Sequence, residues 1–175
     1  HDAHGSVVAI QNRRGQVIQL TRDVLGRVTR KILPEGVTQE FLYDARGNLT
    51  QITDSAQGTT RMEYDPRDRL ASLTYPDGRG FSYTYSDAGR RLRRRTHDGQ
   101  ELHYAYDALG RLERVEGVAG LSLVRYEYDP TGRLRRETRG NGTSTSYEYD
   151  AAGQLTALAH AAADKSSLSR FEYAY

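Results

Sequence analysis

Apolar and polar residues alternate in short runs along this chain, and the runs recur. Tyr83-Thr84-Tyr85, Tyr104-Ala105-Tyr106, Tyr126-Glu127-Tyr128 and Tyr147-Glu148-Tyr149 each put two aromatic side chains on one side of an extended backbone. Phe41-Leu42-Tyr43 and Met62-Glu63-Tyr64 are looser copies. Period-two alternation of this kind predicts half-buried β-strands. Each run ends in a tyrosine (Tyr43, Tyr64, Tyr85, Tyr106, Tyr128, Tyr149), and a polar slot follows. That slot holds Asp2, Asp23, Asp44, Asp65, Ser86, Asp107, Asp129 and Asp150, spaced 21 or 22 residues apart. Three residues later stands Gly5, Gly26, Gly47, Gly89, Gly110, Gly132 or Gly153, with Asp68 the exception. Two positions past the Gly slot the chain turns apolar again, at Val7, Val28, Leu49, Leu70, Leu112, Leu134 and Leu155, with Arg91 in the odd copy.

A fixed period of this size predicts an array of similar supersecondary units. The Asp carboxylate can accept hydrogen bonds from backbone N–H groups further along, closing an Asx-type turn. The Gly stands where a positive φ is easiest. A second turn signal lies about halfway through each unit, at Gly15, Gly36, Gly58, Gly78, Gly99, Gly120 and Gly142. All four prolines fall at turns: Pro66 and Pro130 directly after a turn Asp, Pro34 and Pro76 at the entry to a mid-repeat turn. Strands of roughly five to seven residues fit between successive turns. The expectation is an all-β chain, about eight 21-residue hairpin repeats forming one long curled antiparallel sheet of some fifteen or sixteen strands. Tyr and Leu should share one face, with the tyrosines stacked as a ladder. Only the Ala-rich stretch 157–163 favours helix. A single sheet cannot bury a face alone, so the aromatic face must meet more sheet, a cargo or a lumen.

Composition sharpens this picture only in places. The formal net charge is +2 over 175 residues. Basic residues cluster at Arg90-Arg91-Leu92-Arg93-Arg94-Arg95 and at Arg133, Arg135, Arg136 and Arg139. Acidic residues are interspersed, and alternating strands turn every second side chain to water, so nucleic acid is not the expected partner. There is no Cys, hence no disulfide framework. No apolar run approaches the roughly 18 residues of a membrane-spanning helix. His1, His4, His97, His103 and His160 are scattered. No phosphate loop follows a strand and opens a helix. Asp65 and Asp68 share one turn without the oxygen density of a Ca²⁺ site. The carboxylates recur at turns and none stands apart, so no catalytic residue, metal ligand or cofactor is expected.

The repeat phase bears on the ends. His1-Asp2-Ala3-His4-Gly5 already occupies a turn, and Phe171-Glu172-Tyr173-Ala174-Tyr175 alternates like a strand before one. Residues 1–175 therefore read as a single repeat array, an internal fragment of a longer chain. Two uncapped sheet edges predict edge-to-edge association.

Tyr106-Asp107-Ala108-Leu109-Gly110-Arg111-Leu112 and Tyr128-Asp129-Pro130-Thr131-Gly132-Arg133-Leu134 resemble the YD repeats of the Rhs family, and the resemblance runs through all eight copies. The departures are His1 and Arg22 at the Tyr slot, Ser86 and Asp68 in the turns, and a longer last unit around Asp164-Lys165-Ser166-Ser167. The resemblance implies a strand spiral closing into a hollow shell. In bacterial Rhs polypeptides and insecticidal toxin complexes such shells enclose a toxic C-terminal domain; in wall-associated proteins and teneurins the repeats serve adhesion. It thus implies a non-enzymatic wall segment, bacterial and secreted or at the cell surface. Its partners would be the remaining repeats and an enclosed toxin or effector. The alternative is an adhesion module whose partner is a cell-surface glycan or protein. Some members carry an autoproteolytic pair of Asp-Pro segments; here Asp65-Pro66 and Asp129-Pro130 lie in phase with the repeats and read as turns.

Overall fold

The computed structural model describes residue 1 and residues 7–175; Asp2 and Gly5 lie outside the described residues. Sixteen strands follow in chain order. They are β1 (Ala9–Gln11), β2 (Val17–Arg22), β3 (Val28–Ile32), β4 (Thr38–Tyr43), β5 (Leu49–Asp54), β6 (Gly58–Tyr64), β7 (Leu70–Thr74) and β8 (Gly80–Tyr85). The rest are β9 (Arg91–Thr96), β10 (Glu101–Tyr106), β11 (Leu112–Glu116), β12 (Ser122–Tyr128), β13 (Leu134–Arg139), β14 (Ser144–Tyr149), β15 (Leu155–Ala161) and β16 (Ser167–Glu172). They form one 16-stranded sheet in which every strand neighbours the next, with no crossover. This is the antiparallel meander that the spacing of turn signals predicts.

Both kinds of turn use one backbone device. At Asp107, the Asp N–H donates to the Arg111 carbonyl (2.9 Å) and the Gly110 N–H donates to the Asp107 carbonyl (2.8 Å). At the mid-repeat turn the Arg139 N–H donates to Thr143 and the Gly142 N–H to Arg139, both at 2.8 Å. The fourth residue of each turn is left-handed: φ is +79° at Gly110 and +84° at Gly142. A tight turn followed by one left-handed residue produces a bulge in the ladder. Accordingly the register shifts just before Tyr43↔Leu49, Tyr64↔Leu70, Tyr128↔Leu134 and Tyr149↔Leu155. The bulge sets each of these tyrosines, and Tyr106 likewise, directly across from the Leu-slot residue of its own hairpin, on one face of the sheet.

The chain packs as two compact units. The first comprises 1–83 with 96–98, the second 84–95 with 99–175. In the first unit Phe41, Ile52 and Thr60 line up across β4–β6, and Met62, Leu73 and Phe81 across β6–β8. In the second, Tyr104, Val115 and Val124 do the same across β10–β12. Burial stays shallow. Among the described residues only Val115 (9 % exposed) and Ala157 (3 %) are buried hydrophobics. The Ala-rich stretch is not helical: residues 155–161 form β15, whose backbone pairs with β14 on one side and β16 on the other.

Candidate functional site

Within the described residues the recurring letters gather at the Asp turns. In the Asp107 turn, Oδ1 accepts the backbone N–H groups of Leu109 (3.0 Å) and Arg111 (2.9 Å), while Oδ2 accepts Nε of Arg111 (2.7 Å). Asp23 with Arg27, Asp65 with Arg69 and Asp129 with Arg133 repeat the arrangement, each with Nε to Oδ2 at 2.7 Å. At Asp44 an amide replaces the guanidinium, Asn48 Nδ2 lying 3.0 Å from Oδ2. Asp150 accepts the Gln154 N–H (2.8 Å), and Ser86 Oγ accepts the Arg90 N–H (3.1 Å). Partial desolvation is the largest influence on the carboxyls of Asp23, Asp44, Asp65, Asp107 and Asp129, and it opposes ionisation. The converging donors together outweigh it and hold all five below the usual carboxylate range.

The tyrosine ahead of each turn reaches back to the preceding repeat. Its phenol donates to a main-chain carbonyl at the Leu slot: Tyr43 to Val28 (2.8 Å), Tyr64 to Leu49 (2.9 Å) and Tyr106 to Arg91 (2.9 Å). Tyr128 reaches Leu112 (2.8 Å) and Tyr149 reaches Leu134 (2.9 Å). Tyr85 holds the same sequence position in β8. The ladder between β3 and β4 pairs only Arg30–Ile32 with Thr38–Glu40, so the phenol reaches a carbonyl two residues beyond the paired stretch. The turn arginine then covers that ring. Arg27 lies 4.6 Å from the Tyr43 centroid, Arg111 4.5 Å from Tyr128 and Arg133 4.7 Å from Tyr149. Burial, then the charge of the previous turn's Asp, pushes the phenols of Tyr64 and Tyr128 up. They remain donors at neutral pH. Asp, Arg and Tyr thus form one chain of contacts that begins in one repeat and ends in the next. The tyrosines follow a common position but are tied chiefly to backbone and guanidinium.

Other candidate chemistry is dispersed. Acids stand beside the basic strands: Arg93 and Arg95 of β9 lie 3.5 and 3.6 Å from Glu101 of β10, and Arg139 lies 3.0 Å from Glu137 in β13. Asp68 is left-handed (φ +60°), and its Oδ1 accepts from Arg46 (3.1 Å) and Asn48 (2.8 Å). Asp129-Pro130 sits in an ordinary repeat turn with Arg133. His160 Nδ1 lies 3.0 Å from the Oγ1 of Thr145, which is 2 % exposed. Among the described residues no three His, Asp or Glu side chains converge as a metal site would need.

One concavity was not readable from the repeat. In the first unit, three successive mid-repeat turns line an open cleft of about 730 Å³. Tyr75, Pro76 and Phe81 supply its apolar wall and Asp54, Asp77 and Asp98 its carboxylates. Gly58 and Gly80 clear its floor: a Cβ on Gly58 would stand 2.9 Å from Pro76, and one on Gly80 2.2 Å from the Leu73 carbonyl.

Comparison with known proteins places these features. The chain is 31 % identical over 111 residues to the double-stranded DNA deaminase toxin A of Burkholderia cenocepacia (strain H111), a match spanning 63 % of this chain and 8 % of that protein. The TcdB2-TccC3-TEV crystal structure shares the fold over 96 % of this chain and 11 % of its own, with a TM-score of 0.66 at 15 % identity. The Photorhabdus luminescens Tc holotoxin pore does so over 98 % and 11 %, with a TM-score of 0.64 at 16 % identity. The chain is therefore about a tenth the length of these relatives. The RHS Repeat family model matches residues 43–79, 85–122 and 128–165, more than half of the chain. With the Asp turn and its tyrosine link recurring through those segments, the chain belongs to the RHS repeat family.

Proposed function

We propose that this chain is a wall segment of an Rhs-type shell that encloses or presents a toxin or effector domain, in a secreted or surface-exposed bacterial protein. The supporting observation is the fate of the recurring side chains. Asp107 and Arg111 close a turn, Arg111 covers Tyr128, and Tyr128 bonds the Leu112 carbonyl. The residues that sequence alone offers as a site are thereby engaged in joining one repeat to the next. They act as a scaffold, with no catalytic role for the chain itself, and residues 1–175 form one repeat array. The toxin-related relatives support a container; the shallow burial of the aromatic face suits a surface that meets further wall or cargo.

The test uses the full parent polypeptide. Its domain beyond the repeats is exposed to a broad-specificity protease, attached and isolated. Enclosure predicts at least a hundredfold slower cleavage when attached. Equal rates would remove the container reading.

A further inference from the structure

The cleft of the first unit holds a buried carboxylate whose partners are all neutral. Asp54 is 9 % exposed. Its Oδ1 accepts the backbone N–H groups of Ala56 (2.8 Å) and Gln57 (3.0 Å), and its Oδ2 accepts the Gln39 amide (2.9 Å). These donors hold its carboxyl below the usual range, the Gln39 amide first. Among the described residues no cation stands within ion-pair distance of it. Its negative charge is thus held by hydrogen bonds alone and is not neutralised by a cation of the chain.

The rest of the lining has matching character. Tyr75 is 41 % exposed and meets Phe81 edge-on, centroids 6.4 Å apart. Asp77 is engaged by Arg79 (2.6 Å), and Asp98 accepts the Thr96 hydroxyl. His97 completes the titratable lining. Three carboxylates therefore face one arginine and one histidine. The volume lies within the roughly 300–1,000 Å³ usual for ligand sites.

The chain supplies its own template for what fits. At Asp23, Asp107 and Asp129 a guanidinium lies between a carboxylate and a tyrosine ring. The cleft lining holds the Asp54 carboxylate and the Tyr75 ring, and its one guanidinium, Arg79, is engaged by Asp77. We infer that this cleft docks an arginine side chain presented by a polypeptide segment, its guanidinium set between the Asp54 carboxylate and the Tyr75 ring. A planar guanidinium is favoured over a compact ammonium because it can stack on the ring and hydrogen-bond in its own plane at once. The inference does not rest on the shell reading.

The 175-residue chain is titrated with Nα-acetyl-arginine amide, the isosteric uncharged citrulline amide and spermidine, and followed by backbone amide NMR. The arginine probe should move the Gly58, Gly80 and His97 signals with a millimolar or tighter Kd. The citrulline probe should bind at least tenfold more weakly, and Asp54→Asn should weaken arginine binding at least tenfold. If Asp54→Asn loses the dispersed spectrum, Tyr75→Leu replaces it with the same expected loss. No shifts confined to the cleft, unchanged affinity in the folded variant, or equal citrulline binding would overturn the inference. Tighter spermidine binding would overturn the assignment to arginine in favour of a free polyamine.

Discussion

The phenol of Tyr128 donates a 2.8 Å hydrogen bond to the carbonyl oxygen of Leu112, sixteen residues earlier and one repeat away. That bond joins two hairpins beyond the last rung of their shared ladder. Tyr128→Phe removes the donor and leaves a part-buried carbonyl without it. The expected loss is about 1 kcal/mol, the typical net worth of such a bond. Tyr173, 44 % exposed in the last strand region, is the control: Tyr173→Phe should stay within about 0.5 kcal/mol. Urea denaturation of the two variants side by side checks the difference.

Arg111 serves two partners, the Asp107 carboxylate at 2.7 Å and the Tyr128 ring at 4.5 Å. A double-mutant cycle with Arg111→Gln and Tyr128→Leu should show coupling of about 0.5–1 kcal/mol. The Asp150 turn offers the converse. Its fifth residue is Gln154, whose backbone N–H bonds the carboxylate. Gln154→Arg should install the missing ion pair and stabilise by a few tenths of a kcal/mol, on the order of an exposed pair. Additive effects in the cycle would show that the ring contact contributes nothing.

The strands and turns were legible because each is a local device. The Asp carboxylate, the left-handed Gly and the alternation all act within about five residues, so their spacing in sequence carries the information. The tyrosine link was not, since its acceptor is a carbonyl oxygen, which every residue has. The Gly-Arg-Leu pattern made Arg111 and Arg133 visible, but the rings they cover lie sixteen or seventeen residues on. Asp68 broke the Gly pattern for a reason only the fold shows: its side chain is held by Arg46 and Asn48 from the neighbouring turn. The cleft around Asp54 was not legible: Gly58 marks its turn in the repeat, but Tyr75, Phe81 and His97 hold no recurring slot, and only the fold brings three mid-repeat turns together.

Acid should weaken the array through the turn carboxylates. Asp23, Asp44, Asp65, Asp107 and Asp129 all have folded-state pKa values below the ordinary value of 3.8. A depressed carboxyl stabilises the fold at pH above its unfolded value, and that contribution is lost as pH falls through the folded one. The melting temperature should therefore be nearly flat from pH 7 to 5 and fall steeply below about pH 4. Asp107→Asn should melt lower at pH 7 and lose less on acidification than the parent. A parallel fall in both proteins would show that the Asp107 turn is not among the groups responsible.

Gly80 and Gly36 separate two reasons for a glycine. At Gly36 φ is +82° and a Cβ would meet nothing within 4 Å, so Gly36→Ala adds only left-handed strain, about 1–2 kcal/mol. At Gly80 a Cβ would stand 2.2 Å from the Leu73 carbonyl oxygen and 3.1 Å from the Thr74 Cα. Both are backbone atoms of β7, against which β8 is paired through Gly80↔Thr74, so no side chain can move aside. Gly80→Ala should cost about 3 kcal/mol or more, the upper end for overpacking, and should disturb the amide signals of β7 and β8 together. Equal losses in the two variants, measured by chemical denaturation, would show that the close approach of these strands is not what requires glycine at Gly80.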